Sequence, residues 1–171
     1  MRAMICIISL LISGISTAWA VTPTIATAPN SIEFPADYLN WRVISASHRI
    51  DNESFRIILG NDIAIQAARE GHTNPWPDGT VLAKVVWKQV EEEHWKTAIA
   101  PGVFIHAEFM FRDTKRWAAN GTGWGWARWV GNDLKPYGKD AGFSSECIAC
   151  HTPVSSTGWV FTTPAVFPSV K

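Results

Sequence analysis

Between residues 80 and 88 the chain alternates, with Val81, Ala83, Val85 and Trp87 on one side and Leu82, Lys84, Val86 and Lys88 on the other. A period of two predicts a strand, and it sets Lys84 between Leu82 and Val86 on one face. Residues 103–111 alternate too: Phe104, His106, Glu108 and Met110 face one way, and Ile105, Ala107, Phe109 and Phe111 the other. A further strand, 123–130, carries Trp124, Trp126 and Arg128 on one face and Trp129 on the other. Upstream, residues 41–48 and 55–59 are rich in β-branched and aromatic side chains and are separated by Asp51-Asn52, which predicts a strand pair. Gly60-Asn61-Asp62 starts a helix that runs over 63–69 and stops at Gly71. The Pro- and Gly-containing run 74–79 predicts a turn, 113–119 a short helix, and 135–140 a loop leading into the C-terminal segment. The expected fold is α+β and strand-dominated: an antiparallel sheet with a few short helices and a C-terminal segment that bears the chemistry.

The first twenty residues stand apart. Arg2, the short apolar run 4–15 and Ala18-Trp19-Ala20 follow the order of a secretory signal, with cleavage expected near Val21. The run is shorter than the ~20 apolar residues a spanning helix needs, which argues against a retained anchor. No membrane association is expected after its removal. Residues 21–171 then form a single domain, of which 21–36, rich in Pro, Thr and Ala, is an extended leader.

Composition changes this picture at three points. The formal net charge is zero and there is no basic run, so no nucleic-acid partner is expected. Ten tryptophans, Trp19 among them, suit either a Trp-rich β core or the walls around a large apolar ligand. Of the three cysteines Cys6 lies in the signal, leaving the pair in Cys147-Ile148-Ala149-Cys150-His151.

A disulfide across so short a loop would stabilise little. A redox Cys-x-x-Cys usually follows a strand in a βαβ unit, which this pattern lacks. Structural zinc would need further ligands at matching spacing, and His48, His72, His94 and His106 are scattered. The remaining reading is one covalently attached haem c: the thiols of Cys147 and Cys150 reach its two vinyl groups, and His151 ligates its iron. An exported, periplasmic location suits that assembly. An electron carrier fills the opposite iron position with His or Met, whereas a gas-binding or catalytic haem keeps it open. His106 and Met110 are the candidates to fill it. Each residue type is more often an ordinary strand residue, so an open site is expected.

Together these residues resemble the cytochrome P-460 family and its relatives the beta-type cytochromes c-prime, over most of the mature chain, roughly residues 41–161. The likeness rests on the late Cys-x-x-Cys-His and on the run 78–84 with its Asp-Gly turn and Lys84. It rests further on Arg56, on Glu108 followed by 112–116, and on Val160-Phe161-Thr162. It implies a mainly antiparallel fold, a homodimer and a five-coordinate haem with His151 as proximal ligand. It implies oxidation of a small nitrogenous substrate, hydroxylamine, to nitrous oxide, with electrons leaving to a soluble redox partner. Lys84 matches a lysine bonded to the porphyrin edge in the P-460 branch. Arg56 resembles a distal-pocket arginine, and Glu108 a family glutamate that relays protons or orients Arg56. Asp140 is a candidate for a distal acid ahead of the haem motif. Without the likeness Lys84 would be a routine snorkelling lysine. Two alternatives stay open: a nitric oxide-binding protein of the c-prime kind, and a simple electron carrier.

Overall fold

The computed structural model describes residues 24–168. Strands β1 (Arg42–Arg49), β2 (Ser54–Gly60), β3 (Val81–Glu92), β4 (Trp95–Arg112), β5 (Trp124–Val130) and β6 (Lys135–Pro136) form one antiparallel sheet in chain order. Helix α1 (Asp62–Glu70) follows β2, and α2 (Ser144–His151) carries the cysteine motif. The strand-dominated α+β expectation holds. Among the described residues no helix is long and apolar enough to cross a membrane.

The alternation read from the sequence sorts the core into two layers. Ala83, Val85, Ala107, Phe109, Ala127 and Trp129 line the back of the sheet. The leader packs there as part of the core: Ala28 and Ile32 are buried, and the Trp129 indole donates to the Ala26 carbonyl at 2.9 Å. Phe109 meets Phe34 and Trp129 edge to face, each at 5.6 Å between ring centres, an arrangement that suits aromatic quadrupoles. On the front, Ile44, Ile58, Leu82, Trp124 and Trp126 join the apolar face of α1, with Cys147 and Ile148 of α2 packed against them.

Two local devices fix the register of β3. The Asn61 side chain accepts from Ala64 N at 3.0 Å, capping α1, accepts again from Val81 N at 3.1 Å, and donates to the Gly79 carbonyl at 2.8 Å. The Asp78 carboxylate accepts both the amide and the hydroxyl of Thr114, at 3.0 and 2.7 Å, and these bonds hold it below the usual carboxylate range. Gly79, at φ 86°, turns the chain in a conformation that favours glycine. The runs 78–84 and 112–116 therefore pin one another, and Lys84 sits on the strand they align. Replacing Asn61 by alanine removes all three side-chain bonds. A loss of about 1–2 kcal/mol is expected, read as a lower urea midpoint with unchanged m-value.

Four details differ from expectation. Val86 pairs with His106 but Trp87 pairs with Phe104, so Ile105 is an extra residue in β4. This bulge reverses the alternation, and Phe104 joins Trp87 and the back layer. Residues 113–119 do not form a regular helix. Asp113 accepts from the Lys115 and Arg116 amides to make a turn, and only Ala118–Asn120 winds on as a 3-10 turn before Gly121 ends it at φ 73°. Strands β3 and β4 run beyond 88 and begin before 103 as a two-stranded ribbon. There Val90, Trp95 and Ile99 are exposed, so burial imposes no alternation on the sequence. The loop 135–140 contributes the two-residue strand β6.

Candidate functional site

A cavity of about 580 Å³ opens on the front of the sheet, between the strands, α2 and the tail at 160–163. That volume falls within the usual range for a cofactor or small-molecule site. Cys147, Cys150, His151, Lys84, Arg56 and Glu108 all line it, so the fold brings the six sequence-predicted site residues together.

His151 ends α2, and its Nδ1 lies 2.7 Å from the Trp159 carbonyl. A carbonyl only accepts, so the hydrogen sits on Nδ1 and the Nε2 lone pair is left free, the form that a metal requires. Burial pushes the imidazole toward its neutral form, partly opposed by the bond to Trp159. The ring is flanked by Trp126 at 4.7 Å and Phe161 at 5.0 Å between ring centres. The turn that presents the Trp159 carbonyl is itself anchored, because the buried Trp124 indole donates to Gly158 O at 3.0 Å. Strand β5 thus steers His151 twice, through the ring of Trp126 and the indole N–H of Trp124. Cys147 and Cys150 lie three residues apart on α2, and helical geometry turns such pairs the same way. Cys147 is half-buried, which raises its thiol pKa, while Cys150 is exposed.

The same cavity holds an ion cluster set by strand register, in which Lys84 of β3 pairs with Glu108 of β4, and Glu108 with Arg128 of β5. One Glu108 oxygen contacts the Lys84 ammonium, and the other accepts from Arg128 Nη2 at 2.6 Å. Burial alone would raise the Glu108 pKa, but the two cations and the hydrogen bond from Lys84 outweigh it and hold the carboxyl below its ordinary value. The Arg128 guanidinium lies over the Tyr137 ring at 4.5 Å, and Tyr137 Oη donates to Glu146 at 2.8 Å.

Arg56 faces the cavity from β2 without a hydrogen bond to Glu108. Its buried Nε has no partner among the described residues. Glu108 makes its described side-chain ion pairs with Lys84 and Arg128, as the strand register dictates, and reaches Arg56 only through its charge. His106 is not among the residues that line the cavity, and its Nε2 lies 3.4 Å from Glu108 Oε1. Met110 does line it, packed against the apolar cluster of Leu82 and Trp126. Asp140 lies outside the cavity, exposed, and accepts from the Gly142 amide at 2.9 Å, so it is not a distal acid. The cavity carboxylates are Glu108 and Glu146. Sequence reasoning missed Arg128, Glu146 and Tyr137. The register between β4 and β5 was the signal that would have paired Arg128 with Glu108.

These residues fit a haem. Two thiols, an imidazole with its outer nitrogen free, apolar walls from Ile58, Leu82 and Trp126, and the side chains of Arg56 and Arg128 line one volume. A family model described as Cytochrome P460 matches residues 35–162, which take in every cavity residue except Thr163. No curated protein matches the chain.

Proposed function

The chain belongs to the cytochrome P460 family, a family of haem proteins, and from that premise we propose that it is an exported mono-haem c-type cytochrome that oxidises hydroxylamine. The observation that carries the reading is the convergence of Cys147, Cys150, His151 and Lys84 on one cavity. When bound, the haem would supply an iron with one open position and the centre that takes up the electrons.

The residues divide the remaining work. Cys147 and Cys150 would hold the haem by thioethers and His151 would ligate the iron through Nε2, kept in that tautomer by the Trp159 carbonyl. Lys84 would bond to the porphyrin edge, its ammonium directed beforehand by Glu108. Arg56, whose side chain lines the cavity, would donate to a polar ligand. Conversion of two hydroxylamine molecules to one nitrous oxide and one water releases four protons and four electrons. Glu108, ionised at rest, is the nearby base for those protons, and a soluble redox partner would take the electrons. A homodimer in the periplasm completes the proposal.

The test is made on haem-loaded protein. After denaturation and proteolysis, the peptide spanning residues 80–88 is expected to carry porphyrin mass, and the intact protein to turn hydroxylamine into nitrous oxide. An unmodified 80–88 peptide with no turnover would reject the enzyme reading in favour of a nitric oxide-binding cytochrome.

A further inference from the structure

We propose that His106 is the residue through which Glu108 exchanges protons with solvent. Three observations carry it. His106 Nε2 lies 3.4 Å from Glu108 Oε1, is buried, and has no hydrogen-bond partner. The His106 side chain nevertheless keeps 21% of its surface exposed, so the ring reaches from a buried nitrogen to the protein surface. Glu108 keeps 18% of its own side-chain surface exposed, but it lines the cavity that the haem would fill under the functional reading. Arg128 does not release a proton, and Lys84 is committed to the porphyrin under the functional reading.

The charges around the ring keep it in a relay state. His106 faces Glu108 and Arg128, with Lys84 and Arg56 beyond, and burial holds its pKa down at about 4. At neutral pH it is an uncharged imidazole, able to accept at one nitrogen and donate at the other. With the hydrogen on Nδ1, Nε2 takes the proton from the Glu108 carboxyl while Nδ1 releases its own to water. The carboxylate is regenerated and the ring tautomers re-equilibrate with solvent. A separation of 3.4 Å is long for such a transfer, and catalytic hydrogen bonds commonly tighten on loading.

The inference rests on the functional reading for its purpose, and its test does not use turnover. Ferric holoprotein is reduced rapidly in weak buffer, and proton uptake is followed with a pH-indicator dye. An added electron raises the proton affinity of a nearby carboxylate. His106→Gln, which keeps an amide facing Glu108, and His106→Phe are both expected to take up protons at least about tenfold more slowly than wild type, with an unchanged absorption spectrum. Uptake at the wild-type rate in either variant, or none in the wild type, would overturn the inference. Wild-type protein that takes up protons through His106 and yet does not oxidise hydroxylamine would reject the functional reading alone.

Discussion

Replacing His151 by alanine is expected to abolish the native absorption spectrum and to reduce hydroxylamine turnover by more than the roughly 10–100-fold typical of losing a residue that merely supports a metal ligand. The argument starts from the ring's fixed orientation. The Trp159 carbonyl holds Nδ1 at 2.7 Å, and Trp126 and Phe161 pack against the ring. No other described imidazole lines the cavity to replace it, because His106 lies outside. Alanine would also leave the Trp159 carbonyl without its donor. Absorption spectra of the oxidised and reduced variant, beside hydroxylamine consumption, check the prediction. A native spectrum in the variant would mean that another group ligates the iron.

Glu108→Ala is expected to be the most damaging change in the ion cluster. It strands the Arg128 cation in the cavity and, before any bond to porphyrin forms, the Lys84 ammonium beside it. Removing one partner from a buried pair costs 3–5 kcal/mol. Here Lys84 and Arg128 keep 32% and 28% of their side-chain surface exposed, which points to the low end, about 3 kcal/mol. Turnover should fall about 100-fold or more through loss of the base. The pH dependence follows from the depressed pKa of Glu108. Its contribution to stability is complete above the ordinary value of 4.5 and is lost as pH falls through the lower folded value. Urea unfolding of wild type and variant between pH 7 and 3 should therefore show a difference that shrinks on acidification. A constant difference would assign the loss to packing.

The sheet was legible because its central strands alternate, and α1 because Asn61 and Gly71 mark its ends. Lys84, Glu108, Cys147, Cys150 and His151 were legible through motif and resemblance. What stayed hidden depends on pairing between strands. Arg128 becomes Glu108's partner only through the β4–β5 register, and a single strand's pattern carries no information about what lies opposite. The bulge at Ile105 hid for the same reason, since it exists only relative to β3. Asp140 misled by lying close to the haem motif in sequence, where its carboxylate instead satisfies the local Gly142 amide. The leader's lack of periodicity gave no sign that it joins the core, yet Ala28 and Ile32 need only an apolar surface to bury against.

The most direct test is the mass of denatured protein purified from a cell that attaches haem covalently, measured after treatment with a thiol-alkylating reagent. The account predicts one haem retained per chain, with Cys147 and Cys150 both refractory to the reagent. Colourless protein without haem mass, its two thiols alkylated or joined to each other, would contradict it.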